Sequence, residues 1–589
     1  MLAPIAYVSM FSGFHAYDDE GYNLANLSDY LAGHPLLTPN ALGYGPFFYE
    51  IFGGLFKVLG LAPDNDTGRM VTAVIWLIGS VAGGLVALRL SRNLWLGLTA
   101  ELVTFGILIA LANEPMSPYG LTALLLLGLA AAASFRSARP RATAALIGAI
   151  VSSLFLVKIN IGGFAAAAVV LAWSAGLPQR WRRPLLALMV AVVTALPFLL
   201  TLPLLTRGWV FVFASVVALS AASVGVAILA AGPRELPQPS GRWIAAGGAV
   251  IVVACLGVAL AGGTRATDIW NGLVVQPLRI PGLLTQPVTV GAGHALWAAG
   301  SFVVALALTV RNRIVTVPAT AAGLMRVGAG FFTFLSLLLV PNTNFLLALP
   351  LAWLATQAPD HAGADPVGSY ARVLLPTLAV VESLQAYPFA GSQLSLAAFC
   401  LVPVGAIALG DGIRQLHSAG AADRVTVKAL GWVAPAALAI NIAVFLLFAL
   451  TAAAEFGRDT PVGLPGAESV RLPAQSATQL RLLVAAVDRD CSSLVTFPGM
   501  NSFYIWTGED PPPMRVEVWW LFLDNNTQQS IVEQVTGKPR LCVIKNQRVI
   551  DMWSGGRAVS RSPLVDFIDR QFVHDSSYGD YELLVRAGP

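Results

Sequence analysis

Apolar runs long enough to cross a bilayer recur from the first residues to about residue 453, joined by short connections in which arginine is the usual charge. A membrane helix takes roughly 20 apolar residues, and inside the hydrocarbon its backbone must be satisfied within the segment. The pattern therefore predicts a polytopic α-helical membrane protein with about 13–15 transmembrane helices. Of the 589 residues, 56% are hydrophobic and 12% charged; a soluble domain carries about 25% charged residues. The net charge of +4 does not point to nucleic acid, because the arginines sit in small groups between apolar runs.

Those groups set a topology. Arg89/Arg92, Arg180/Arg182/Arg183 and Arg414/Arg424 mark one side, which the excess of positive charge makes cytoplasmic. Residues 13–68, 113–117, 158–160, 263–290, 341–344 and 385–392 then face outward, and an odd number of crossings places the C-terminus there too. Within the first outer loop, 20–32 and 46–60 read as amphipathic helices lying along the membrane. Scarce lysine and abundant alanine fit a GC-rich bacterial genome, hence the bacterial cytoplasmic (inner) membrane. No removable signal peptide is expected, and residues 2–12 are short for a crossing.

From about residue 455 the composition turns polar. The domain expectation is a transmembrane unit over 1–454, a Pro/Gly linker over 455–474 and a soluble extracytoplasmic α/β domain over 475–589. Helices at 475–489, 526–535 and 563–571 alternate with strands at 493–497, 541–546 and 581–586. Cys491 and Cys542 are disulfide candidates in an oxidising exterior; two buried thiols are the alternative. The run 518–523 either dips into the headgroup layer or packs in the core.

Ionisable residues at a membrane edge are expensive, and so point to function. Asp18, Asp19 and Glu20 are consecutive at the start of the first outer loop. Like charges crowded at a low-dielectric boundary raise at least one pKa, which suits a general base or a divalent-cation ligand. A solvated acidic loop is the plain alternative. Glu114 sits in a very short outward turn, and Lys158 and Asn160 in another. Lysine binds phosphate as a point charge, and snorkelling is its plain alternative. Arg265 and Arg279 lie in the loop 263–290. Glu382, Gln385, Tyr387 and Gln393 offer amides, a phenol and a carboxylate that suit sugar hydroxyls or bonds between helices. No Ser/His/Asp, P-loop, dinucleotide or zinc pattern is present.

Asp19-Glu20-Gly21-Tyr22, followed by Tyr44-Gly45-Pro46-Phe47-Phe48-Tyr49 and then Glu114, resembles the GT-C superfamily of integral-membrane glycosyltransferases. The bacterial branch with lipid A aminoarabinose transferase and the protein O-mannosyltransferases is the most similar. The resemblance implies a helical bundle with an outer C-terminal domain, and transfer of a sugar from a polyprenyl-phosphate donor to a hydroxyl on a glycan, lipid or protein, with inversion. It implies Asp19, Glu20 and Glu114 as the catalytic acids, Asp19 the first choice of base. Lys158 and Arg265 would face the donor phosphate, with Asp18, Tyr44, Asn160, Glu382, Gln385, Tyr387 and Gln393 also lining the substrate. Cofactors are open between none and a divalent cation (Mg or Mn) at Asp19 and Glu20. A transporter or flippase for lipid-linked saccharides, and a non-catalytic cell-envelope assembly protein, are the other classes.

Overall fold

A computed structural model describes residues 2–37, 44–134, 140–231, 240–283, 285–311, 318–338, 343–359, 367–418, 424–509, 520, 523–555 and 559–587. Of the stretches expected to face outward, 38–43, 284 and 341–342 lie outside the described residues. The chain folds as a polytopic helical membrane protein with a small C-terminal α/β unit. Among the described residues nine helices are long and apolar enough to cross a membrane, and the shorter apolar helices are Leu2–Phe11, Leu94–Ile109, Tyr119–Ser134, Ile159–Ser174 and Phe345–Ala355. The runs counted as crossings thus fall into two kinds. Backbone at membrane depth tolerates a short helix where protein, not lipid, meets its ends.

The first eight helices are α1 (Leu2–Phe11), α2 (Asp19–Leu31), α3 (Pro46–Leu59), α4 (Asn65–Ser91), α5 (Leu94–Ile109), α6 (Tyr119–Ser134), α7 (Pro140–Val157) and α8 (Ile159–Ser174). α2 and α3 are the two helices expected in the first loop. α3 buries Phe48, Tyr49, Phe52 and Phe56 and leaves Ile51, Leu55, Val58 and Leu59 exposed. An apolar face left uncovered on a membrane protein is a lipid-facing surface. Farther along, helix Gln393–Ser418 runs through the interior, 94% of its apolar window buried, while Gly241–Ala261 is 17% buried and faces lipid.

The C-terminal unit holds the six strands β1 (Thr460–Pro461), β2 (Arg471–Leu472), β3 (Ser493–Phe497), β4 (Leu541–Lys545), β5 (Phe572–Tyr578) and β6 (Tyr581–Arg586). Its main sheet has the order β3-β4-β6-β5, with β3 and β4 parallel and the other pairs antiparallel. β3 is buried along its whole length, as expected of a strand covered on both faces. β5 was not expected, because its middle, His574-Asp575-Ser576, is polar and exposed. Cys491 and Cys542 form a disulfide that joins the end of helix Ala474–Asp490 to β4. Trp520 packs on Phe497 in this core, with ring centroids 5.0 Å apart; residues 518–519 and 521–522 of that run lie outside the described residues.

The stretch read as a linker is built in. Helix Arg424–Arg458 continues into it, and the β1–β2 pair follows. Asp66 at the head of α4 donates its N–H to Gly466 O and accepts from Ser469 N–H at 2.9 Å, while Gly13 N–H reaches Arg471 O. The C-terminal unit thereby sits on the end of the bundle that carries α2.

Candidate active site

Three tight turns meet at that end. The first is the entry to α2, with Asp19 as first helical residue and Asp18 as cap, its backbone left-handed at φ 54°. Aspartate tolerates this conformation better than most residues. The second is the turn 110–118, pinned to α4 by Met116 N–H donating to Thr72 Oγ1 at 2.9 Å; it carries Glu114, which is buried. The third is a single residue, Lys158, extended between α7 and α8. So short a turn leaves its ammonium no route away from the bundle end.

Asp19, Glu114 and Lys158 belong to one electrostatic group. Burial holds the Asp19 carboxyl well above the usual carboxylate range, Glu114 and Asp18 push it further, and Lys158 opposes them. Burial raises Glu114 too, against a hydrogen bond with Ser392 and the charge of Lys158. Burial brings Lys158 down to about 8, with Glu114 and Asp19 holding it up. The cluster is two acids and one cation in a poorly hydrated place, so at least one proton is easily moved.

Aromatic residues shape its walls. The Lys158 Nζ lies 5.1 Å from the Tyr119 ring centroid and 5.9 Å from that of Tyr44. Tyr44 is set there by Gly45, whose N–H donates to Val157 O at 2.9 Å and where an added Cβ would run into Leu156 O. Tyr17 accepts from Asn113 Nδ2 at 2.6 Å, which ties the first turn to the second. Above, Trp553 of helix Gln547–Ser554 packs on Tyr17 and Phe389, at centroid distances of 6.3 and 5.6 Å. Phe389 shares its turn with Ser392, the partner of Glu114 and Tyr119.

The remaining acids of the first turn have fixed partners of their own, Glu20 on Arg69 and Asp18 on Ser502. Glu20 points one helical step away, about 100° round the axis, and its oxygens take Arg69 Nε at 2.8 Å and Nη2 at 2.7 Å. Arg69 also donates to Met10 O and Gly13 O, so this buried pair fastens α1, α2 and α4 together. Asp18 accepts from Ser502 and caps α2. Asp19 alone of the three stays partly exposed, and among the described residues none donates a hydrogen bond to its carboxylate.

Asn160 stands in the first turn of α8, its buried Oδ1 taking no hydrogen bond from a described residue. Arg265 is exposed ahead of helix Ala266–Trp270 and adds nothing to the charge felt by the cluster. Arg279, also exposed, acts on Asp524 of the C-terminal unit. Glu382 and Gln385 are buried between helices and bond each other at 2.5 Å. Tyr387 is buried against Trp209, and Gln393 is half-buried at the start of Gln393–Phe399. From this stretch it is Ser392 that reaches the acids. Arg69, Ser502 and Trp553 were missed; Arg69 carried a signal, as an arginine on the side where the topology predicts few.

Of the two residues expected to hold a divalent cation, Glu20 is paired with Arg69. Among the described residues no group of three or more His, Cys, Asp and Glu side chains is placed to hold a metal.

No family model matches the sequence, and no curated protein does. Among solved structures, the chain is similar to the archaeal oligosaccharyltransferase AglB from Archaeoglobus fulgidus, in complex with an inhibitory peptide and a dolichol-phosphate. The identity is 12%, the match covers 99% of this chain and 73% of that one, and the TM-score is 0.38.

Proposed function

We propose that the chain is a GT-C-type glycosyltransferase of the bacterial cytoplasmic membrane, with its active site and C-terminal unit on the outer face. It moves a sugar from a polyprenyl-phosphate donor to an acceptor hydroxyl. The observation that carries this reading is the meeting of Asp19, to which no described residue donates a hydrogen bond, with Glu114 and Lys158 at one end of the bundle, under Trp553.

The chemistry follows from the charges. Asp19 takes the proton of the acceptor hydroxyl as its oxygen attacks the anomeric carbon. The bond from that carbon to the phosphate oxygen breaks on the opposite side, which inverts the centre. The lipid phosphate leaves carrying the electron pair, and Lys158 meets its charge. Glu114, held by Ser392, keeps Lys158 protonated and Asp19 basic enough to act. General-base help contributes about 10²–10⁴ in rate, and fixed positive charge in a dry site about 10²–10³. Lys158 does here what a metal ion would otherwise do.

The test is transfer from a panel of polyprenyl-phosphate hexoses and pentoses in membranes holding the wild type, Asp19→Asn or Glu114→Gln. Wild-type turnover by both variants removes the assignment. A chelator arm reads the metal: full activity in its presence fits Lys158 as the cation, and loss restored by Mg or Mn overturns that part.

A further inference from the structure

The acid that reacts is bracketed by two acids that do not. Asp18 is held from one side and Glu20 from the other, while no described residue hydrogen-bonds the Asp19 carboxylate itself. Its aim is therefore set by the backbone of the first turn of α2. We infer that Ser502, in the C-terminal unit, is a positioning residue for Asp19. The inference rests on the reading of Asp19 as the base.

Three donors fill the Asp18 carboxylate. Gly21 N–H comes from α2 at 2.9 Å, and Ser502 supplies its N–H at 2.5 Å and its Oγ–H at 2.7 Å from 484 positions away. The cap of α2 is local, Asp18 accepting from Gly21 N–H, and its carboxylate is fixed by a residue from another part of the molecule. Ser502 opens helix Ser502–Thr507 and is fully buried. Its Oγ also accepts from Asn65 Nδ2 at 3.2 Å, and Asn65 Oδ1 accepts from Trp506 Nε1 at 2.9 Å. The first turns of α2 and α4 are thereby set against one serine. Glycine at 21 permits the approach, because an added Cβ would collide with Ser502 N and Oγ. Across the site, Arg69 grips Glu20 from α4. With both neighbours fixed, a rotation of the turn that displaced Asp19 would have to break one of these contacts.

The plain alternative is that Ser502 only fastens the C-terminal unit. The two roles differ in what a folded variant does. A displacement of about 1 Å at a reacting group is worth about 10²-fold in rate, whereas a lost fastening lowers the folded fraction and leaves turnover per folded molecule unchanged. The experiment uses full-length Ser502→Ala in detergent or nanodiscs, with polyprenyl-phosphate monosaccharides as donors and the folded fraction measured by thermal unfolding. The expected result is a kcat about 10–100-fold lower per folded molecule with donor KM within about twofold of wild type. Wild-type kcat in the folded variant, or a rise in KM alone, overturns the inference. If Ser502→Ala does not fold, Asp18→Asn, which keeps the size and one acceptor oxygen, is read by the same split. Asp19→Asn is measured in parallel. Wild-type turnover there sinks the functional reading itself; an inactive Asp19→Asn beside a fully active Ser502→Ala sinks only the positioning role.

Discussion

Buried carboxylates at the two ends of the bundle are treated in opposite ways. At the arginine-rich end Asp411 is fully buried and accepts from Arg372 Nη1 at 2.6 Å and Arg414 Nη2 at 2.5 Å. Arg372 also donates to the carbonyls of Ala355 and Gln357, and Arg414 to Ser91 O, so the group closes the ends of several helices. At the other end Asp19 and Glu114 share the charge of one lysine, and among the described residues none hydrogen-bonds the Asp19 carboxylate. A saturated ion group is a fastening, since removing one member strands the others in low dielectric. An unsaturated one is strained by crowding and is held there by the surrounding turns. Glu20, next in sequence to Asp19, is buried and locked on Arg69, whereas Asp19 stays partly exposed and takes no hydrogen bond from a described residue.

Four measurements would break or sharpen this contrast. The largest effect is expected from Asp19→Asn: sugar transfer falls about 10²–10⁴-fold, while the unfolding temperature stays level or rises because crowding is relieved. Normal transfer, or a large loss of stability, would put Asp19 in the same class as Asp411. Lys158→Met should cost about 10²–10³ in rate. Without its charge Asp19 and Glu114 hold their protons to higher pH, so the acidic limb of the pH–rate profile moves upward; an unmoved limb would mean that Lys158 does not face them. Asp411→Asn strands two guanidinium groups and should lower stability by about 3–5 kcal/mol, read by thermal unfolding in detergent. A melting point like that of wild type would show that carbonyls alone hold that end.

The smallest effect concerns Asp18. Burial pushes it from 3.8 up to about 7, against the pull of its Ser502 and Gly21 donors. A carboxyl raised on folding adds stability that is fully present below 3.8 and is lost as the pH rises through about 7. Asp18→Asn should therefore flatten the decline in unfolding temperature between roughly pH 4 and 7. An unchanged slope assigns that decline to other groups.

Much of this was legible in the chain itself. Asp19, Glu114 and Lys158 stood out because each is an ionisable residue confined to a short turn at a membrane edge, where charge is hard to solvate. Three helices and three of the six strands of the C-terminal unit followed from apolar spacing, while helices Ser502–Thr507 and Gln547–Ser554 were not expected. What was not legible depended on partners. Nothing local says that Glu20 finds Arg69, since the pair is 49 residues apart, or that Asp18 finds Ser502. Apolar length alone does not tell lipid from protein neighbours: a run such as Ile159–Ser174 is apolar with either. β5 was invisible because an exposed edge strand need not be apolar.

The Asp18–Ser502 contact also has a consequence for biosynthesis. At about 5–20 residues per second, the 484 positions between these residues take roughly half a minute to a minute and a half to emerge from the ribosome. Until then the early helices lack the contact that fixes the Asp18 carboxylate. On the proposed function, the last fifth of the polypeptide completes a site that the first twenty residues began, so a chain stopped before Ser502 transfers no sugar.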